Sequence, residues 1–332
     1  MNKLINRTSF LKIKSSRDFN HLALKVFNYQ FENCKVYRSY CDLININCRD
    51  VKNYENIPFL PISLFKTKKV KSFKGKGEKV FFSSTTSNGI PSKHYIKCLD
   101  NYSKSFMTCF NKFYGKESNY VILALLPSYL ERKNSSLIYM VETLIKKSNK
   151  KDSGFYLYNF DKLIKTIKKL ESTNQKTILI GVSFALIDLI KYKKIKLKNT
   201  IVMETGGMKG KQKEISKKEL HNKICSGFGI EKVHSEYGMT ELLSQAYSNG
   251  KGIFHTPPWM KILIRSIDDP LESVRNEKAG GINIIDLANI HSCSFIATDD
   301  LGKKLKKGGF EILGRFDNSD LRGCNLLTNN LN

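Results

Sequence analysis

The sequence predicts an α/β protein built on layered, mostly parallel sheets. Three observations carry that prediction. First, "YVILALLP" (120–127), "TILIGVSF" (177–184) and "NTIVMETGG" (199–207) are continuous apolar runs of strand length, as expected of strands buried on both faces. Second, "SSLIYMVETLIKK" (135–147), "DKLIKTIKKLES" (161–172) and "SKKELHNKICSGFG" (216–229) space their apolar residues as helices do, the last closing on a glycine. Third, from "WMKILIR" (259–265) onward the strands shorten and Gly and Asp turns separate them. Strands alternating with helices and then giving way to strands alone describe an α/β core with a β-rich C-terminal subdomain.

The remaining elements follow in order. Residues 1–56 read as mainly helical, closing on a Tyr/Asn-rich turn at Val51–Asn56. "IPFLPISLF" (57–65) is extended because its prolines disfavour helix. "KTKKVKSFKGKGEK" (66–79) reads as a solvated loop or hairpin, and Val80–Phe82 as a short strand. The expected division is a helical N-terminal segment (1–56), an α/β core (57–258) and a β-rich end (259–332).

Composition narrows the function classes. The 332 residues carry a net charge of +26, but Lys supplies 47 of the 56 basic residues and is dispersed among Asn and Ile. Such a spread fits codon drift as well as phosphate binding. With no aromatic-basic stripe and no helix-turn-helix pattern, no nucleic-acid partner is expected. The eight Cys include no C-x-x-C pair and no zinc spacing, so most are expected to be packed thiols in a reducing compartment. No stretch reaches the roughly eighteen apolar residues of a membrane span. The longest candidate, Tyr120–Leu130, is broken by Pro127, and the N-terminus lacks the apolar core of a signal peptide. A cytoplasmic protein is the expectation.

Five stretches have the residue types for chemistry. "FFSSTTSNGIPSKHY" (81–95) crowds hydroxyls, Asn and Gly after a strand, a composition suited to phosphate oxygens but equally ordinary in a surface turn. It is not a Walker A loop. "HSEYGMTELLSQAYS" (234–248) sets Glu236, Thr240 and Glu241 beside Tyr237 at the corner made by Gly238. Carboxylate and hydroxyl there suit Mg²⁺ held against a polyphosphate, and the ring suits a base; a helix N-terminus at Thr240 is the alternative. "METGGMKG" (203–210) lets a flat ligand approach the backbone at Gly206 and Gly207. "FIATDDLG" (295–302) reads as a strand, two Asp and a turn. "GRFDNSDLRGC" (314–324) reads as a polar loop.

Taken in order, these stretches resemble the adenylate-forming ligase superfamily. Within it, "VMETGGMKG", "HSEYGMTELLSQAYS", "PPWMK", "NIIDLANIHSCSFIATDDLG", "GRFDNSDLRGC" and "LALLPSYLERKNSSLIYM" are most similar to the acyl-protein synthetase (LuxE) family. Phenylacetate-CoA ligases are a more distant likeness. The similarity runs from about Ile57 to Cys324. It implies the large domain of that superfamily and an activity in which a carboxylic acid, fatty or other, reacts with ATP to give acyl-AMP before transfer to a thiol. The cofactors implied are ATP and Mg²⁺. The partner implied is an acyl-reductase or other acyl acceptor.

Residue by residue, the resemblance implies that Ser84, Thr85, Thr86, Ser87 and Lys93 wrap the β- and γ-phosphates. Gly206, Gly207 and Met208 would line one face of adenine, and Tyr237 the other. Thr240 would touch the α-phosphate region and Glu241 would hold Mg²⁺. Asp300 would bind ribose with support from Arg315, and His234 would lie near the acyl carboxylate. Family members carry the acyl group on a Cys near the C-terminus, which here is Cys324, with Arg322 and Arg315 placed to favour its thiolate. Two departures stand out. A Thr, Thr85 or Thr86, replaces the first Gly of the phosphate loop, and the sequence ends just after the G-R-x-D stretch, without the mobile lid of larger members. A non-catalytic scaffold or partner-dependent subunit is the alternative.

Overall fold

In the computed structural model of the protein, residues 5–84, 89–126, 134–206, 216–274 and 277–316 are described. They form two compact units that interleave along the chain. One comprises Met1–Ser105, Met239–Ser244 and His255–Asn332; the other comprises Phe106–Gly238 and Gln245–Phe254.

The first unit begins with α1 (Ser16–Asn33) and α2 (Lys35–Leu43). A capping box starts α1, the Ser15 side chain accepting from the Asp18 N–H while Asp18 accepts from the Ser15 N–H. After α2 come β1 (Leu60–Pro61), α3 (Leu64–Thr67) and the antiparallel pair β2 (Lys79–Phe82) and β3 (Lys93–Ile96). The helix α4 (Leu99–Tyr114) then carries the chain out of this unit.

In the second unit, β4 (Val121–Leu125), α5 (Ser136–Ser148), β5 (Gly154–Phe155), α6 (Phe160–Ser172), β6 (Thr177–Val182), α7 (Ser183–Tyr192), β7 (Thr200–Thr205), α8 (Lys217–Phe228), β8 (His234–Tyr237), β9 (Ala246–Ser248) and β10 (Ile253–Phe254) follow one another. The sheet order is β5-β4-β6-β7-β8-β9. All its pairings are parallel except β8 with β9. Every residue of β4 and β6 is buried, which is why these strands read as unbroken apolar runs. α8 ends where Gly229 takes a left-handed conformation, φ +60°. The parallel order gathers the carboxyl ends of β6, β7 and β8 at one end of the sheet.

The chain returns to the first unit with β11 (Met260–Arg265), β12 (Gly280–Asp286), β13 (Phe295–Lys304) and β14 (Phe310–Arg315). They pair antiparallel in sequence order, and β1 lies parallel to β13. Arg265 is buried in this sheet, donating to the carbonyls of Ile282 and Thr298 and to Asn283 Oδ1. Gly281 makes room for it, since a Cβ there would stand 2.4 Å from the guanidinium carbon.

The segment from Asp286 to Ser294 is a buried polar junction. Asp286 accepts the N–H groups of Leu243, Ser244 and Ala288 and the Ser244 hydroxyl. Gln30 of α1 donates to the carbonyls of Asn289 and Ile290 and accepts from the Ser294 N–H. Asn101 donates to the Ala288 carbonyl, Ser72 to the Ile290 carbonyl, and Ser292 to the Val70 carbonyl. Trp259 Nε1 donates to Ser244 Oγ. Four separate stretches of the first unit, around Gln30, Val70–Ser72, Asn101 and Leu243–Ser244, are tied to one turn.

Among the described residues, no helix is long and apolar enough to cross a membrane.

Replacing Asp286 with Ala strands three backbone N–H groups in the interior. Its expected cost is about 3 kcal/mol or more, read as a fall in the urea midpoint. Lys146→Ala, which removes only an exposed pairing with Glu142, is expected to change stability by no more than about 0.5 kcal/mol.

Candidate functional site

The carboxyl ends of β7 and β8 carry the second unit's candidate residues. Thr205 and Glu236 are register partners, and the Thr205 hydroxyl donates to Glu236 Oε2. Burial pushes the Glu236 carboxyl up to about 7; the Thr205 bond opposes this, the neighbouring Glu204 adds to it, and Lys217 draws it back in part. The other carboxylate oxygen explains Gly238, where a Cβ would stand 2.6 Å from Glu236 Oε1.

Glu204 immediately precedes Thr205 and so points to the opposite face of the sheet. Burial again raises its carboxyl, but Lys217 Nζ at 2.9 Å, His221 and Ser235 outweigh burial and hold it at about 2. The Ser183 hydroxyl is 3.1 Å from the Gly206 carbonyl and 3.4 Å from Glu204 Oε2. Gly206 itself has φ +69°. His221 Nε2 is 3.5 Å from Glu204 and 3.4 Å from Ser235 Oγ. Both contacts use one ring nitrogen, so these three residues are not a nucleophilic relay, which needs two.

His234 opens β8 with Nδ1 3.2 Å from the Tyr114 hydroxyl. Burial, and then Lys232, lower its pKa to about 4, so its ring is neutral at neutral pH. Tyr237 is buried, its ring edge-on to Phe254 at 5.9 Å, and Lys217 lies 4.3 Å over the same Phe254 ring.

The first unit holds the other candidates. Ser83 closes the mouth of the hydroxyl-rich loop, its hydroxyl accepting the Ser92 N–H at 2.9 Å and its N–H donating to the Ser92 carbonyl. Ser84 follows, half-buried, and Lys93 begins β3 with an exposed side chain. Met239–Ser244 belongs to this unit although β8 and β9 flank it in sequence. Thr240 and Glu241 form a turn, so the helix N-terminus considered for Thr240 does not occur. The Thr240 carbonyl faces His94, and the buried Glu241 accepts from Asn289 through its backbone carbonyl. Among the described residues, no group of three or more His, Cys, Asp or Glu side chains could hold a metal.

Asp300 and Arg315 are register partners on β13 and β14, with Arg315 Nε donating to Asp300 Oδ1 at 2.9 Å. The turn expected after Asp299–Asp300 is absent: β13 runs on to Lys304 and absorbs an irregularity between Leu301 and Gly302. Burial raises the Asp299 carboxyl against the pull of Arg315 and Lys66. Thr85, Thr86, Ser87, Gly207, Met208, Arg322 and Cys324 lie outside the described residues.

Sequence reasoning passed over Glu204, Thr205, His94, Asp286 and Asn289. For Glu204 and Asp286 a signal existed, an acidic residue inside an apolar strand. Such a residue needs a buried partner.

A family model described as acyl-protein synthetase, LuxE, matches residues 11–331. The long-chain-fatty-acid–luciferin-component ligase of Aliivibrio fischeri is 24% identical over 347 residues, covering 96% of this chain and 89% of its own. Among solved structures, an open conformation of 2-hydroxyisobutyryl-CoA ligase, in complex with 2-HIB-AMP and CoA, has a TM-score of 0.61 at 11% identity, covering 91% of this chain and 70% of that one. ATP-bound MatB from Rhodopseudomonas palustris has a TM-score of 0.54 at 16% identity, covering 73% and 49%. The chain thus spans about half the length of that structural relative. The fold is that of adenylate-forming ligases.

The two carboxylates predict opposite pH effects on stability. Glu236, raised to about 7 from 4.5, stabilises the native state fully below pH 4.5, and that contribution is lost as pH rises to 7. Glu204, lowered to about 2, contributes above pH 4.5 and loses its contribution as pH falls toward 2. In urea titrations between pH 5 and 8, Glu236→Gln is therefore expected to remove a decline approaching about 1.4 kcal/mol per pH unit.

Proposed function

Because the chain belongs to the acyl-protein synthetase (LuxE) family, we propose that it activates a carboxylic acid with ATP and passes the acyl group to a protein thiol. A long-chain fatty acid is the substrate class favoured, since the curated relative is named for one. The observation that carries the reading is the family match across 11–331, which takes in every candidate residue from Ser84 to Cys324. The Asp300–Arg315 pair supports it, fixing a carboxylate and a guanidinium at one place on the β13–β14 ladder.

In the first step, a carboxylate oxygen of the acid bonds to the α-phosphorus of ATP. The bond from that phosphorus to the bridging oxygen breaks, and pyrophosphate leaves. Ser84, Thr85, Thr86, Ser87 and Lys93 hold the β- and γ-phosphates in this reading. Gly206, Gly207, Met208 and Tyr237 hold adenine, with Gly238 giving close access beside the ring. Thr240 reaches the α-phosphate, and Asp300, braced by Arg315, takes the ribose hydroxyls. Glu241 would hold Mg²⁺, with phosphate oxygens completing the shell, and the bound ion would offset the charge between the two anions. The neutral ring of His234 suits a place beside the acyl carboxylate.

In the second step the Cys324 thiolate attacks the acyl carbonyl. A C–S bond forms, the C–O bond to phosphate breaks, and AMP leaves. An acyl-reductase or another acceptor protein then removes the acyl group from the thioester.

Two measurements test the reading. Intact mass spectrometry after incubation with Mg-ATP and mixed fatty acids is expected to show a hydroxylamine-labile acyl mass on the wild type and none on Cys324→Ala. An absence of both adduct and AMP would sink the reading and favour a non-catalytic scaffold. In an AMP-release assay, Arg315→Ala is expected to raise the KM for ATP about tenfold, the worth of one charge-assisted hydrogen bond.

A further inference from the structure

The buried imidazole of His94 has a role that the family reading does not give it. His94 is the second residue of β3, two positions past the Ser92 that closes the hydroxyl-rich loop on Ser83. Its side chain is fully buried, with Nδ1 2.7 Å from the Thr240 carbonyl and Nε2 3.0 Å from Asn289 Oδ1. The Phe65 ring packs edge-on against it.

The direction of each bond can be fixed. Asn289 Nδ2 donates to the carbonyls of Glu241 and Cys293, at 2.8 and 2.9 Å. Its amide is therefore oriented by two groups that only accept, and its oxygen must be the atom facing His94. The Thr240 carbonyl likewise only accepts, and its contact is the shorter of the two. Nδ1 therefore carries a proton and donates it to the Thr240 carbonyl. Burial lowers the ring's pKa to about 4, and the bonds to Thr240 and Asn289 act against burial because both partners accept from the ring.

We infer that His94 is a positioning residue joining the two segments read as phosphate-facing, the loop closed by Ser83 and Ser92 and the turn at Thr240–Glu241, through its Nδ1–H on the Thr240 carbonyl. The inference rests on the proposed adenylation. Asn289 completes the joint by holding the next carbonyl, that of Glu241. The joint thereby fixes the backbone of the Thr240–Glu241 turn relative to β3, the strand that follows Ser92. The joint acts on chemistry more than on affinity, because it aligns groups after the nucleotide has bound.

Two substitutions separate this role from packing. His94→Asn keeps a donor at the δ position, in reach of Thr240. His94→Gln moves the donor to the ε position, where it satisfies the Asn289 oxygen but abandons Thr240. The full-length variants are compared by the kcat and KM of AMP release, and by hydrogen exchange of the 239–244 peptide without ligand. We expect His94→Gln to lower kcat about tenfold, to leave the KM for ATP within about threefold, and to exchange faster across 239–244. His94→Asn is expected to stay near the wild type in all three. Equal losses in both variants, or no loss in either, would overturn the inference. A wild type that releases no AMP would instead refute the adenylation reading, and the exchange comparison would still decide the joint.

Discussion

One carboxylate organises the first unit. Asp286 is wholly buried and takes four donors, three of them belonging to Leu243 and Ser244. Those two residues end the short segment that crosses into this unit from β8 and leaves it again for β9. Without a fixed acceptor, the segment would have to bury its N–H groups unpaired, at a cost no apolar contact would offset. With it, the neighbouring carbonyls of Thr240 and Glu241 become available to His94 and Asn289. The junction is therefore an all-or-nothing device, since each member's desolvation is compensated only when its partners are in place.

The two acidic residues at the ends of β7 and β8 show how local surroundings divide like groups. Glu204 and Glu236 sit on adjacent strands, yet successive side chains on a strand face opposite ways, and the register sets Glu236 against Thr205, not Glu204. One face offers Lys217 and His221, so its carboxyl stays charged. On the other, burial outweighs the Thr205 hydroxyl and the pull of Lys217, so its carboxyl holds a proton toward neutrality. Environments that separate the pKa values of like groups are a common arrangement where charge must be managed at a site. Gly238 belongs to the same arrangement, since any side chain there would collide with Glu236.

What could be read from the sequence was whatever depends on near neighbours. Continuous apolar runs gave β4, β6 and β7, and helical spacing gave α5, α6 and α8, because burial on both faces or on one leaves its mark within a dozen residues. The strand through Asp299 and Asp300 was mistaken for a turn because its pairing with β14 supplies Arg315, fifteen residues later, as a partner for Asp300. Gln30 could not have been matched to Ser294, 264 residues away. His94 resembles any polar residue in a short strand until Thr240 and Asn289 are placed around it. The Y-G-M-T-E stretch was visible as a motif, but its division between two units was not, since that division follows from partners contributed by β12 and the turn after it.

That division bears on how the protein can be taken apart. A unit assembled from three separate stretches of chain has no single pair of cut sites that would release it whole. Excising the stretch between α4 and β11, or encoding it as a separate gene, would leave the junction around Asp286 without residues 239–244, whose Leu243 and Ser244 it grips. Residues 239–244 thus bind the two units into one inheritance: a change of partner or domain order at this position would have to exchange both at once, and drift in either is answerable to the other.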